Sequence, residues 1–198
     1  MKCRILTFRR LSVQDSLKEL FESVGDFDFL IHTAGDPLSI KPLEQLDYDA
    51  ILQAGEVRFF SAILAAKVAR PHLRKGGSIL LTTGSICSHP MPDWVAVAGF
   101  AGALPSLGRQ LAYDLSKYDL RVNVVAPGAV ETELWDGMPA DARRGMMQQI
   151  AQKALTAKVG QPNEVAQTYM GLLKDTNITG QTIHTDSGNQ YGPRPGGS

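Results

Sequence analysis

The chain has 198 residues, of which 43% are hydrophobic and 20% are charged. That composition is typical of a folded globular domain and excludes an intrinsically disordered chain. Twenty basic side chains balance twenty acidic ones, so the charge does not favour a nucleic acid or an anionic membrane surface as a partner. Cys3 and Cys87 lie far apart, which excludes a disulfide framework and favours the reducing cytoplasm.

The sequence contains no signal for membrane insertion, secretion or metal binding. The apolar runs are too short for a membrane span, and the start of the chain lacks the apolar stretch of a signal peptide. The four histidines have no metal-ligand spacing, so we predict no metal. We treat residues 1–187 as one domain and the Gly- and Pro-rich residues 188–198 as a flexible tail.

Short apolar runs alternate with longer helical patterns along the chain. The predicted strands are Cys3–Phe8, Phe27–Thr33, Gly77–Thr83, Arg121–Ala126 and Gln181–Thr185. The predicted helices are Gln14–Val24, Asp47–Ala69, Trp94–Leu115, Ala140–Ala154 and Pro162–Leu173. Strands that alternate with helices indicate an α/β protein, here with a parallel sheet of about five strands covered on both faces.

Five segments resemble, in the same order, motifs of the short-chain dehydrogenase/reductase family. They are His32-Thr33-Ala34-Gly35, Gly77-Ser78-Ile79, residues 121–128 with Glu131-Thr132, residues 160–166, and residues 178–183 with Asp186 and Gly188. The resemblance covers most of residues 1–190. It implies a doubly wound, Rossmann-like sheet and, as the family activity, oxidation or reduction with NAD(P).

The cofactor segment of the family has no counterpart here. Family members begin with a strand, a Gly-rich turn and a helix that holds the dinucleotide pyrophosphate, yet no glycine cluster precedes Asp26. We therefore expect a member that lacks the first βαβ unit, in which Cys3–Phe8 pairs with Phe27–Thr33, and that takes no nicotinamide cofactor. The family-equivalent remnants of the cofactor site are Ala34, Gly35, Pro127, Gly128 and Thr132.

The catalytic pair of the family is also missing. That pair is a Tyr followed four residues later by a Lys, which lowers the pKa of the phenol so that it can exchange a proton. Counting back from the strand Arg121–Ala126 puts the two positions at Val97 and Ala101, and neither side chain can transfer a proton. Tyr113 and Lys117 have the required spacing, but we interpret them as a solvated helix end at the opposite edge of the sheet.

Ligands of open α/β sheets bind outside the carboxyl ends of the strands, and polar residues follow those ends here. Arg58 takes the position of the family's helical Asn, and Gly84 that of its Ser. We predict as catalytic side chains Arg58, Ser85, His89, Thr83 and His32. We predict as substrate-binding side chains Asp36, Asp93, Trp94, Glu131 and Trp135.

Each of these predictions has a structural alternative. Arg58 is equally suited to an ion pair with Asp36 or Glu56, and His32 to a hydrogen bond with a neighbouring group. A Ser–His–Asp hydrolytic triad in the loop after Gly77–Thr83 is disfavoured, because the run lacks the second glycine of a nucleophile elbow.

Three functions remain open. The preferred interpretation is cofactor-independent isomerisation, cyclisation or elimination on an apolar small molecule. The alternatives are a non-catalytic binding or scaffold protein, and an NAD(P)-dependent oxidoreductase, since fold alone does not decide function. The helices Asp47–Ala69 and Trp94–Leu115 correspond to those that commonly form a two-fold interface in the family, so we predict a homodimer through them.

Overall fold

The computed structural model describes residues 13–195 and the side chains of residues 15–195. The strands are β1 (Phe27–His32), β2 (Leu73–Thr82), β3 (Arg121–Pro127) and β4 (Thr182–Thr185). The helices are α1 (Val13–Val24), α2 (Tyr48–Gly55), α3 (Ser61–Ala69), α4 (Val95–Leu115), α5 (Ala140–Lys153) and α6 (Pro162–Lys174). The predicted strand Cys3–Phe8 and its pairing lie outside the described residues.

The four strands form one parallel sheet in the order β1-β2-β3-β4. Leu80 at the centre of β2 lies between Ile31 of β1 and Asn123 of β3, and Val125 of β3 pairs with Ile183 of β4. The predicted α/β class and doubly wound parallel sheet are therefore confirmed, with four strands in residues 13–195.

Alternate side chains of the central strands point to two different helical layers. Ile79 and Leu81 of β2 pack with α1, α3 and α4, whereas Leu80 between them packs against α6. All three side chains are completely buried. Because both faces of β2 are buried, its sequence is a continuous apolar run rather than an alternation of apolar and polar residues.

A buried asparagine interrupts the apolar run of β3. The Asn123 side chain donates from Nδ2 to the carbonyl of Ile178 at 2.9 Å and accepts from the amide of Gln181 at 3.0 Å. Both partners lie in the segment that connects α6 to β4. The asparagine therefore fixes where β4 joins the sheet. Its full burial is tolerated because both its amide nitrogen and its amide oxygen have a hydrogen-bond partner.

An arginine at the start of β3 holds the end of α6. The Arg121 guanidinium donates to three carbonyls, each at 3.2 Å, those of Leu172, Leu173 and Ile178. The last carbonyls of a helix have no partner within the helix. A cation at this end also interacts favourably with the helix dipole, so Arg121 acts as a C-terminal cap supplied from the sheet.

The helix predicted over Asp47–Ala69 contains an irregular turn. Its two halves, α2 and α3, are joined by a π-helical turn over Glu56–Phe60. The Asp36 carboxylate, from the loop after β1, accepts the amides of Val57 and Arg58, each at 3.0 Å. The widened turn thus depends on a carboxylate that lies about twenty residues away in the chain, which hydrophobic periodicity does not reveal.

The Tyr113–Lys117 pair lies where a solvated helix end is expected. Tyr113 is 80% exposed near the end of α4, and the turn Ser116–Tyr118 that follows leads into the amino end of β3. Within residues 13–195, none of the helices combines the length and apolar character that a membrane-spanning segment needs.

Candidate functional site

The carboxyl ends of the four strands lie along one edge of the sheet, because the strands are all parallel. We call this the carboxyl edge; it comprises the segments that follow His32, Thr82, Pro127 and Thr185. Most of the predicted site residues lie in the segments that follow β1, β2 and β3. The edge is where open α/β sheets bind ligands.

His32, the last residue of β1, points into the α3 layer. Its Nε2 lies 2.9 Å from the Ser61 hydroxyl, which itself donates to the carbonyl of Val57. The hydroxyl oxygen therefore accepts a hydrogen bond from Nε2–H. Burial lowers the pKa of His32. The structure thus places His32 as a buried group whose charged form is disfavoured, and its predicted role in proton transfer stays a prediction.

Arg58 and Asp36 meet through backbone groups. The Asp36 carboxylate accepts backbone amides of the π turn, and the Arg58 Nη2 donates to the Asp36 carbonyl at 2.9 Å. The guanidinium covers Gly35, where an added Cβ would lie 3.3 Å from Nη2. Burial lowers the pKa of Arg58, although the charge of Asp36 opposes that shift. The Nε atom is buried and forms no hydrogen bond within residues 13–195.

Thr83, directly after β2, has a structural partner. Its hydroxyl donates to the carbonyl of Ala101 in α4 at 2.7 Å. The residue four positions later in that helix is Pro105, which has no amide hydrogen to offer this carbonyl. The Thr83 hydroxyl thus supplies the donor that the proline removes.

The loop after Thr83 carries three of the predicted polar residues. Ser85 opens a short 3₁₀ turn, and its carbonyl accepts the amides of Ser88 and His89. The His89 side chain is half-buried, whereas Asp93 is exposed and has a left-handed backbone with φ of 65°. Within the described residues, no hydrogen bond joins the Ser85, His89 and Asp93 side chains, so the structure does not assemble a hydrolytic triad.

Trp94 and Trp135 are buried together with Val97. We call these three residues the tryptophan cluster; Val97 is 1% exposed, and the Trp135 indole donates to the carbonyl of Val130 at 2.9 Å. Five partly buried side chains pack against it, namely Leu38, Ile86, Ala129, Met146 and Met147. The position that the family resemblance assigns to a catalytic Tyr is therefore an apolar contact between the segments of the carboxyl edge.

The segment after β3 begins with a close backbone contact. A Cβ on Gly128 would lie 2.8 Å from the Cα of Asp186, so only glycine fits where the ends of β3 and β4 approach each other. The Thr132 hydroxyl then accepts the Leu134 amide at the start of a 3₁₀ turn. Glu131 between them is exposed and accepts a hydrogen bond from the Gln161 side chain at 3.1 Å.

An open cleft of about 600 Å³ lies between this segment and α5. Its walls include Glu131 and Met147, so it borders the tryptophan cluster. Its volume falls in the range of small-molecule sites. In residues 13–195, no group of three or more His, Cys, Asp or Glu side chains is arranged to hold a metal ion.

Comparison with known sequences identifies the family. Residues 9–191 match the model of the SDR-like Rossmann domain. The chain belongs to the short-chain dehydrogenase/reductase family. Short-chain dehydrogenase/reductase malC of Malbranchea aurantiaca is 32% identical over 176 residues, which is 88% of this chain and 66% of malC. Its counterpart fsr5 of Gibberella fujikuroi is 32% identical over 183 residues, 89% of this chain and 68% of fsr5. The chain thus spans about two thirds of these relatives.

Solved structures of the family superpose closely on this chain. A small-chain dehydrogenase in complex with NADPH gives a TM-score of 0.87 at 31% identity, over 90% of this chain and 81% of that one. The MalC reductase/Diels-Alderase of Malbranchea aurantiaca gives 0.82 at 31% identity, over 89% of this chain and 70% of that one.

The NADPH complex corrects one expectation from the sequence. The chain was expected to take no nicotinamide cofactor, but a neighbour this similar holds NADPH, and this points to NAD(P) use rather than to none. The expectation relied on the absence of a glycine cluster before Asp26 and on Val97 and Ala101 at the positions of the catalytic pair. The later strand ends of the fold also belong to the family's cofactor site, and this chain retains Ala34-Gly35 and Pro127-Gly128 there.

Several residues of the site escaped prediction from the sequence. Ser61 and Pro105 fix the predicted residues His32 and Thr83, but they lie far from them in the chain. The proline inside a long helical pattern was a usable signal, because its missing amide requires a substitute donor. Met147 and Arg143 of α5 line the cleft without any motif to mark them.

Proposed function

We propose that this chain binds a nicotinamide dinucleotide at the carboxyl edge and there closes a ring in an apolar small molecule without a Tyr–Lys proton relay. The observation that carries the proposal is the burial of Val97 in the tryptophan cluster, at the position of the family's catalytic Tyr. A bound dinucleotide can supply hydride chemistry and also forms one wall of a family site.

The residues at the end of β1 fit an anionic cofactor. Arg58 brings a positive charge beside Gly35, a residue without a side chain, in the turn that the family resemblance assigns to the cofactor. Its Nε has no hydrogen-bond acceptor within residues 13–195. A guanidinium in this position is suited to a phosphate or carboxylate group.

The chemistry of the pocket favours ring closure over carbonyl reduction. Reduction of a carbonyl needs a proton for the oxygen, and Val97 and Ala101 have none to give. A cyclisation that converts π bonds into carbon–carbon σ bonds moves no proton, and a water-excluding apolar wall suits it. A related chain, the MalC reductase/Diels-Alderase, is named for both reactions.

An NAD(P)-dependent oxidoreductase is the second candidate. The similarity to a dehydrogenase holding NADPH favours it. The loop after β2 also carries a hydroxyl and an imidazole, on Ser85 and His89, that form no side-chain hydrogen bond within residues 13–195. Such groups could replace the missing phenol as the proton donor.

One probe separates the two candidates. A decatrienone in which a diene is tethered to an enone can either cyclise to an isomer of unchanged mass or gain two hydrogen atoms. With NADPH present, we expect the isomer and no loss of NADPH absorbance. Reduced product formed with consumption of NADPH would contradict ring closure and support the oxidoreductase. Calorimetric titration with NAD⁺, NADH, NADP⁺ and NADPH tests the cofactor, and absence of binding for all four would contradict that half of the proposal.

Three substitutions locate the site once turnover is measured. Arg58→Ala, His89→Ala and Ser85→Ala are each expected to lower turnover at least tenfold, about 1.4 kcal/mol of barrier, because they remove a cation, an imidazole and a hydroxyl from the carboxyl edge. The melting temperature of Arg58→Ala should fall by no more than the few degrees that a loss of about 1 kcal/mol causes, and that of the other two variants should change little. Full activity in all three variants would place the reaction elsewhere.

A further inference from the structure

A series of hydrogen bonds crosses the sheet at the carboxyl edge and begins at Tyr169 in α6. The Tyr169 hydroxyl lies 2.6 Å from the Thr82 hydroxyl, and Thr82 donates to the carbonyl of His32 at 2.7 Å. A threonine hydroxyl has a single hydrogen. Because Thr82 donates that hydrogen to His32, Tyr169 must be the donor in the contact between the two hydroxyls. The phenol of α6 is thus connected to the last residue of β1 through one side chain of β2.

The phenol keeps its hydrogen near neutral pH. Tyr169 is 7% exposed, and burial raises its pKa, although the hydrogen bond to Thr82 opposes that shift. The ordinary pKa of a tyrosine is already about 10. The buried hydroxyl therefore remains a donor, and a buried donor is costly to leave without a partner.

His32 extends the series of hydrogen bonds to the other face of the sheet. Its imidazole is bonded to Ser61, which donates to the carbonyl of Val57 in the π turn. The amides of Val57 and Arg58 in that turn donate to the carboxylate of Asp36, four residues after His32. α6 and α3 pack on opposite faces of the sheet. We call this connection between them the hydrogen-bond path; it runs through Tyr169, Thr82, His32, Ser61 and Val57.

We propose that Tyr169 is a positioning residue for the dinucleotide site, although it belongs to the other helical layer. Its hydroxyl fixes the end of β1, and thereby the loop that presents Gly35 and Asp36 to Arg58. This inference rests on the proposed function, because that function assigns the dinucleotide to Arg58 and Gly35. Tyr169 acts through Thr82, and no contact with the cofactor and no proton transfer is assigned to it.

The first test removes single hydroxyl groups and follows the π turn in the chain without cofactor. Tyr169→Phe and Thr82→Val each break the hydrogen-bond path, whereas Thr82→Ser keeps the hydroxyl. Hydrogen exchange of the Val57 and Arg58 amides, which donate to Asp36, should be about two- to tenfold faster in the first two variants. This is the factor that one ordinary hydrogen bond contributes. In Thr82→Ser the two exchange rates should stay within about twofold of the parent chain, which is less than the loss of such a bond causes.

Val165→Ala provides the matched control. Val165 is buried in the same α6 cluster as Tyr169 and is no part of the hydrogen-bond path. The substitution should lower the urea midpoint of unfolding and leave the exchange of the Val57 and Arg58 amides unchanged, so it separates positioning from a general loss of stability. Equal acceleration in Val165→Ala and Tyr169→Phe, or unchanged exchange in Tyr169→Phe and Thr82→Val, would overturn the proposal.

The link to the cofactor is tested by calorimetric titration of the same variants with NADPH. The affinity should fall by about two- to tenfold in Tyr169→Phe and Thr82→Val, and it should keep the parent value in Thr82→Ser and Val165→Ala. If the parent chain binds NADPH and Tyr169→Phe and Thr82→Val bind it equally well, the positioning role is overturned and the proposed function stands. If the parent chain binds no NADPH, both are overturned, so the two failures are distinguishable.

Discussion

Two arginines at opposite edges of the sheet differ in how completely they are hydrogen-bonded. Arg121, at the amino end of β3, donates to three carbonyls that end α6 and precede β4. Arg58, at the carboxyl edge, donates from Nη2 to one carbonyl, and its buried Nε has no partner within residues 13–195. An unpaired buried donor costs free energy. The comparison indicates that Arg121 serves as a helix cap, whereas Arg58 retains a buried donor that the described residues leave without a partner.

The largest loss of stability is expected from replacing Arg121, the arginine that donates to three carbonyls. Arg121→Met should lower the free energy of unfolding by about 3 kcal/mol, because three carbonyls lose a charged donor. Arg58→Met should cost only about 1 kcal/mol, since one such bond is lost. Urea unfolding of both variants measures the difference. Equal losses would break the contrast between the two edges. Arg74→Met, which removes an exposed pair with Asp28, provides the control and should cost less than about 1 kcal/mol.

Thr83 tests whether part of the carboxyl edge is structural. Thr83→Val should cost about 1–3 kcal/mol, because the Ala101 carbonyl in α4 would lose its donor. In a Pro105→Ala background the helix regains an amide for that carbonyl, so the same substitution should cost less. Unfolding measurements on the four proteins of this double-mutant cycle give the coupling. Strict additivity would contradict the link between Thr83 and Pro105.

His32 should make stability depend on pH. Its pKa is lowered in the folded chain by burial, while the unfolded chain has the usual value of about 6.5. Below that pH the unfolded state binds more protons, so stability present at neutral pH is lost as the pH falls, by at most about 1.4 kcal/mol per pH unit. Urea unfolding between neutral and mildly acidic pH should show the loss.

The variant His32→Gln separates this histidine from the other titrating groups. It should flatten the pH dependence of the free energy of unfolding, because glutamine keeps a hydrogen-bonding side chain at this position but takes up no proton. A wild-type curve that stays flat below neutral pH would show that His32 does not remain neutral in the folded chain.

The smallest effect is expected for the oligomeric state, which depends on a third region of the molecule, the exposed face of the helices before β2 and before β3. We propose that residues 47–69 and α4 form a homodimer interface, because apolar side chains of α2, of the π turn and of α4 are exposed: Tyr48, Ile51, Leu52, Phe60 and Val95. Phe60 is 43% exposed and makes an edge contact with Phe100 of α4. Light scattering should give a dimer for the parent chain and a monomer for Phe60→Glu. A monomeric parent chain at tens of micromolar would contradict the proposal.

Prediction from sequence succeeded where the signal is local. The runs that form β2 and β3 are apolar because both faces of each strand are buried. Successive residues of such a strand must then be apolar, and this run is visible in the sequence. Prediction from sequence failed where a residue is held by a partner that lies far away in the chain. The π turn depends on Asp36, and His32 is hydrogen-bonded to Ser61, and neither contact has a spacing that a pattern could reveal. The cofactor expectation was wrong because a few positions, the residues before Asp26 together with Val97 and Ala101, were given more weight than the similarity of the rest of the fold to a dehydrogenase that holds NADPH.

The tryptophan cluster has a consequence for the dynamics of the carboxyl edge. Trp94, Val97 and Trp135 hold together the loop after β1, the loop after β2, the segment after β3 and helix α5. These segments pack on one another, and α5 buries no residue of its own. They should therefore open as one cooperative unit, with a lower free energy than the central strands. Native-state hydrogen exchange should show one shared opening free energy for the amides of residues 85–89 and 141–151, and ligand binding at this edge should raise it for all of them together.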